Sequence, residues 1–240
     1  MNSWLKPVKT AIALNNGFVL LTIISTKGST PCSNGDKIVF SGGESVFGSI
    51  GGGNLEFKAL SFAEELLSLN SNSIYLKKYP LGASLGQCCG GYVKVMFESF
   101  IQSDSTNSWI DKVSNLLHNK EDFVVATIVD NNAETEYSSK KFVYLNGDSR
   151  PSLDDEELSS LINKSAKDLL LFADSPTIVQ FENKSGSATE ICFEKVLTSE
   201  VQPVVVFGAG HISRALMPIL INLPIKIYWV DDRAEQFDKY

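Results

Sequence analysis

Histidine is nearly missing from this chain: His118 and His211 are the two in 240 residues, which excludes a histidine-rich metal centre. Cysteine is sparse too. The four, Cys32, Cys88, Cys89 and Cys192, include an adjacent pair and no CxxC, poor geometry for a disulfide framework, so reduced thiols are expected. Clusters of Lys and Arg are lacking, and the net charge is −7; without basic patches to neutralise phosphates, no nucleic-acid partner is expected. Long apolar runs are lacking as well. Phe18 to Ile24 is too short to span a bilayer. The apolar stretch after Lys6 and Lys9 is cut by Asn15, Asn16 and Gly17, so it fails as a secretory signal. These absences predict a cytoplasmic protein with no membrane partner.

What is present suits a globular chain. The apolar share is 43% and the charged share 20%, enough apolar side chain for a sizeable core. A length of 240 residues exceeds one average domain, so more than one is expected. Charge is unevenly spread: residues 1–100 carry 8 basic and 6 acidic residues, 101–202 carry 9 and 18, and 203–240 carry 4 and 4. An anionic ligand is tolerated at either end and repelled by the centre.

Apolar spacing places the elements. Trp4 to Leu14 has helical spacing and stops at Asn16-Gly17. Phe18 to Ser25 is apolar on both faces, as a buried strand is. Asp36 to Phe40 and Ser45 to Ile50 read as a hairpin around Ser41-Gly42-Gly43-Glu44. Leu55 to Leu69 is an amphipathic helix that Asn54 can cap. Ser73 to Tyr79 and Tyr92 to Phe97 read as strands, as do Asp122 to Val129 and Lys141 to Leu145. Asp104 to His118 and Asp154 to Leu171 read as helices, the second with acids in its first turn where the dipole favours them. Thr177 to Phe181 then pairs with Thr189 to Leu197.

Three glycine motifs carry the chemistry. In the last, Val204-Val205-Val206-Phe207 runs into Gly208-Ala209-Gly210-His211-Ile212-Ser213, and a second strand, Ile225 to Val230, ends at Asp231. A buried strand feeding a glycine turn into a helix aims backbone N–H groups at the space over the helix start, which favours phosphate. Gly208 makes the turn, Gly210 allows close approach, and Ser213 keeps a small residue against the sheet. Asp231 stands where an acid can bind ribose hydroxyls. This is the opening of a Rossmann-type unit, and such folds also serve as scaffolds without a nucleotide. His211 is read as packing at the turn rather than as a catalyst. The first motif is Gly48-Ser49-Ile50-Gly51-Gly52-Gly53-Asn54-Leu55-Glu56, a strand passing through three glycines into a helix. Its amides can cradle an anion such as a pterin phosphate; the other reading is a tight turn packed on Gly28-Ser29. Between these motifs, Leu85-Gly86-Gln87-Cys88-Cys89-Gly90-Gly91 sets thiols beside pliable backbone, suited to a soft metal or persulfide exchange, or simply buried as small apolar groups.

Gly28-Ser29-Thr30-Pro31, GSIGGGNLE at 48–56, GQCCGG at 86–91 followed by YVKVMFE, and VVVFGAGHISRAL with WVDDR at 229–233 together resemble the XdhC/CoxI family, accessory proteins for xanthine dehydrogenase and related molybdenum hydroxylases. The likeness covers residues 18–98 and 203–237. It implies binding of the molybdenum cofactor (molybdopterin), its protection while a terminal sulfur is installed, and delivery to the apo-enzyme. The implied partners are a xanthine dehydrogenase-type hydroxylase, a cysteine desulfurase that supplies the sulfur, and a second copy of the chain in a homodimer. Carried over by position, the cofactor-binding candidates are Gly51, Gly52, Gly53, Glu56, Cys88, Cys89, Gly208, Gly210 and Asp231, with Cys88 and Cys89 as the metal-facing pair. Two departures stand out: Cys32 follows Gly-Ser-Thr-Pro where the family usually has an arginine, and Ser213 stands where a glycine is usual. The family's Rossmann domain also continues beyond its second strand, so a truncated unit is expected here, since under 40 residues cannot bury both faces of its sheet.

The expected fold is α/β: an N-terminal α+β domain over 1–100, an acidic α+β middle region over 101–202, and an incomplete Rossmann-like β-α-β unit over 203–240. The expected function is that of a molybdenum cofactor chaperone, not an enzyme. Its rivals are an NAD(P)-dependent oxidoreductase using the Rossmann unit, for which no acid/base set is visible, and a fragment without activity.

Overall fold

The structure, a computed structural model, describes residues 4–43, 45–82, 90–101, 104–129, 141–145, 156–172, 176–182, 188–197, 202–223 and 225–237. Strand β1 (Phe18–Lys27) shows why its sequence lacks an alternating pattern: its first seven residues are all buried, so both of its faces are covered. It is the central strand of a five-stranded antiparallel sheet of order β3-β2-β1-β5-β4, in which β2 is Lys37–Phe40, β3 Val46–Gly48, β4 Ser73–Pro80 and β5 Tyr92–Phe100. The hairpin expected at Ser41-Gly42-Gly43-Glu44 is the β2/β3 pair, with Ile38 opposite Gly48 and Phe40 opposite Val46.

One face of this sheet is covered by helix α2 (Gly53–Ser68), whose Leu55, Ala59, Ala63 and Leu66 pack on Val19, Leu21, Val95 and Phe97. The other face meets a second antiparallel sheet of order β7-β6-β9-β8, made of β6 (Phe123–Val129), β7 (Lys141–Leu145), β8 (Thr177–Glu182) and β9 (Ala188–Val196). Strand β6 repeats the logic of β1. All seven of its residues are buried, Val124, Ala126 and Ile128 against helix α4 (Glu156–Phe172) and Phe123, Val125 and Val129 toward the first sheet. The layers therefore run helix, sheet, sheet, helix. Helices α1 (Leu5–Ala13) and α3 (Asp104–His118) add Val8, Ile110 and Val113 to the core between the sheets, and Trp4 of the segment leading into α1 stacks on Trp109 of α3. Each of these buried aliphatic side chains stabilises the fold by roughly 1.5–3 kcal/mol relative to exposure.

The chain divides into two compact units, Asn2–Val196 and Leu197–Tyr240. Segments 1–100 and 101–196 share one core, since Phe18, Leu20 and Phe100 of the first pack in the same cluster as Phe123, Val125 and Cys192 of the second.

In the other unit, β10 (Gln202–Phe207) and β11 (Ile225–Val230) pair in parallel, Val204 opposite Ile227, and helix α5 (His211–Leu220) makes the crossover. Ser213 and Met217 are the buried residues of α5, as the small-residue reading of Ser213 requires. The alternation of the two strands leaves Val205, Phe207, Tyr228 and Val230 exposed, Phe207 at 80%.

Candidate functional site

The glycine loops of the larger unit meet at one end of the five-stranded sheet. A Cβ on Gly91 would lie 2.3 Å from the Lys27 carbonyl oxygen and 2.7 Å from that of Ser29, and one on Gly28 would lie 3.0 Å from the Gly91 Cα. On the other side of the same loop, a Cβ on Gly51 would fall 2.8 Å from Cγ of Pro31. At Gly28 and Gly91 backbone packs directly on backbone, and at Gly51 backbone packs on the proline ring, which is why glycine is needed. The Gly28-Ser29-Thr30-Pro31 loop is thus held between the GSIGGG turn and the end of the thiol loop, and Leu81 N–H donates to the Gly91 carbonyl at 2.8 Å, closing that loop's base. Cys88 and Cys89, the metal-facing candidates, lie outside the described residues.

The GSIGGG turn corrects the picture of bare amides. Gly51, Gly52 and Gly53 take φ values of 106°, 70° and 61°, a run in the left-handed region that other residues avoid. Into the concavity this makes, Glu56 folds its own carboxylate: Oε2 accepts from the Gly52 N–H at 3.1 Å, the Ile50 N–H at 3.1 Å and the Ser49 hydroxyl at 2.8 Å. The Gly51 N–H donates to Ser49 Oγ at 3.2 Å. The helix's own Glu56 carboxylate holds these donors. Asn54 is not the cap: the helix starts two residues earlier than expected, at Gly53, with Gly52 at the N-cap and no side-chain cap there. Space remains above Gly52, where a Cβ would meet nothing within 4 Å.

The β10–α5 turn repeats this arrangement. Gly208 has φ 88°, and a Cβ on Gly210 would meet nothing within 4 Å, so close approach over that turn is open. Asp231 Oδ2 accepts from the Ala209 N–H, and Arg233 grips the same carboxylate through Nε and Nη2, each at 2.9 Å. The Arg233 side chain, with the amides of Ala209 and Arg233, holds the Asp231 carboxyl well below the usual carboxylate range. The acid read as a ribose ligand is engaged at the turn itself. Arg233, a partner sequence reading missed, was visible only as the last letter of WVDDR.

Sequence reading also missed a set of charges between the two sheets. Lys141 Nζ lies 2.6 Å from Glu98 Oε1, with the two side chains 2% and 0% exposed, and donates to Thr127 Oγ1 at 3.2 Å. Lys37 pairs with Glu194 and donates to Thr22 Oγ1 at 2.7 Å, and Lys94 pairs with Glu190 at 3.2 Å. Burial pushes the Glu194 carboxyl up, but Lys37 and Lys141 outweigh it, and the net value falls below the ordinary one. Part of the acidic excess of the middle segment is thereby neutralised by lysines of the first. Cys192 sits among these groups, fully buried, with burial as the main cause of its raised thiol pKa, so it is no accessible nucleophile.

Residues 11–79 match the sequence pattern of the XdhC and CoxI family. Among solved structures, a crystal structure described as a xanthine dehydrogenase from Bacillus halodurans superimposes with a TM-score of 0.52 at 15% identity, a likeness of fold alone. The match covers 98% of this chain and 64% of that one. No protein of curated function matches the chain.

Proposed function

Residues 11–79 being XdhC and CoxI family sequence, we propose that the chain is an accessory protein that carries the molybdenum cofactor as cargo to a xanthine dehydrogenase-type hydroxylase. The observation that carries this reading is the meeting of the Gly28–Pro31 loop with Gly51 on one side and Gly91 on the other. It gathers the motif residues at one end of one sheet, and in the sequence Cys88 and Cys89 come just before Gly90, the first described residue after the thiol motif. The cargo is an anionic pterin phosphate bearing a soft metal. The thiols suit the metal. The amides of Ile50 and Gly52 do not serve the phosphate while Glu56 holds them, so Glu56 is read as closing the turn rather than as a ligand of the cargo. Sulfur for the cofactor would come from a cysteine desulfurase, and a homodimer is the assembly proposed. No helix among the described residues is long and apolar enough to cross a membrane.

The second reading is an NAD(P)-dependent oxidoreductase, supported by the left-handed Gly208 turn and the open space over Gly210. Against it stands the Asp231 carboxylate, already shared between Ala209 and Arg233.

The test is retention on a sizing column after mixing the full chain with molybdenum cofactor and, separately, with NAD(P). Cofactor that co-elutes with wild type and is lost with Cys88→Ala or Cys89→Ala supports the carrier. Tight NAD(P) with no pterin retained would replace it with the oxidoreductase.

A further inference from the structure

The two sheets of the Asn2–Val196 unit face each other through strands that alternate charged and apolar side chains. On β5 the facing set is Lys94, Met96, Glu98 and Phe100; on β9 it is Glu190, Cys192 and Glu194. Each of the three ion pairs joins one sheet to the other: Lys37 of β2 to Glu194, Lys94 to Glu190, and Glu98 to Lys141 of β7. Two stacked tryptophans flank the set, Trp4 with its ring 5.7 Å from Lys37 Nζ and Trp109 with its ring 4.8 Å from Lys141 Nζ.

An apolar sheet face is nearly degenerate under sliding. A slide of two residues along the strands, about 6.8 Å, moves each facing side chain to the place its neighbour on the same face had held and again sets apolar on apolar. Charges remove that degeneracy, since the same shift would carry Glu98 away from Lys141 and leave each buried without a counter-ion.

We propose that Lys141–Glu98 and Lys37–Glu194 form a register lock, which selects one docking of the second sheet on the first while the apolar side chains between them supply the adhesion. Replacing both members of a buried pair with apolar residues commonly preserves stability, whereas removing one does not. Stability and uniqueness can therefore be read apart.

The experiment uses the full chain with Lys141→Met, with Glu98→Leu/Lys141→Met, and with Lys58→Met on the exposed side of α2 as control. Lys141→Met alone should lower Tm by roughly 10 °C. The double variant should regain most of that loss, yet its amide NMR signals from β5, β6, β7 and β9 should double or broaden where wild type shows one set, and their hydrogen-exchange protection should fall. One sharp set in the double variant that persists when Lys37→Met/Glu194→Leu is added to it, with wild-type contacts between the sheets, overturns the lock. So does a double variant that cannot fold, since the charges would then supply adhesion, or a Lys141→Met loss no larger than that of Lys58→Met. If Lys141→Met itself does not fold, the spectra of the double variant and of the variant lacking both pairs decide: several registers support the lock and one in both refutes it.

Discussion

Gly91 lies against Lys27 so tightly that a methyl group on it would stand 2.3 Å from the lysine's carbonyl oxygen. That oxygen belongs to backbone and cannot swing aside. Gly91→Ala should therefore cost about 2 kcal/mol or more, roughly 5 °C in Tm. Gly90, one residue earlier, meets nothing within 4 Å, and Gly90→Ala should stay within about 0.5 kcal/mol of wild type. Equal melting temperatures for the two variants would dismiss the close junction.

Glu56 gives a second prediction. Truncation to alanine strips the acceptor from the Ile50 and Gly52 amides and the Ser49 hydroxyl, and should destabilise the chain by about 1–2 kcal/mol. Glu56→Gln keeps an acceptor oxygen in reach and should lose less. Urea midpoints measure both, and a glutamine variant as unstable as the alanine one would show that the carboxylate does not cap the turn through these bonds.

Glu194 makes stability depend on pH. Its folded pKa is depressed, so its contribution is present above the ordinary value of 4.5 and is lost as the pH falls through the folded value. Glu194→Gln should be less stable than wild type at about pH 6, because Lys37 loses its counter-ion, and its urea midpoint should fall less steeply toward about pH 3. Parallel curves for the two proteins would remove Glu194 from the acid response.

Much of the fold was legible in the sequence. The double-sided burial of β1 was written in Phe18 to Ile24, the β2/β3 hairpin in its glycines, and the parallel crossover in the spacing from Gly208 to Asp231. These signals are local, set by periodicity and turn chemistry within a few residues. The pairing of the two sheets was not legible, because Lys94, Glu98, Glu190 and Glu194 look like solvent-facing positions until the opposing sheet is in place. The junction of glycine loops was foreseen both as an anion cradle and as a tight turn packed on the Gly28-Ser29 loop, but its closure by Glu56 was not. A turn that could bind an anion and one that has already bound its own, through Glu56, have the same sequence signature, and the difference is one side-chain rotamer four residues on from Gly52.

The charges between the sheets also give the molecule an unusual response to warmth. Water's hold on an ammonium or a carboxylate weakens on heating, so withdrawing Lys141 and Glu98 from it becomes less unfavourable, while apolar contact gains little more. The electrostatic cost of closing the sandwich over these two side chains therefore shrinks as the solution warms.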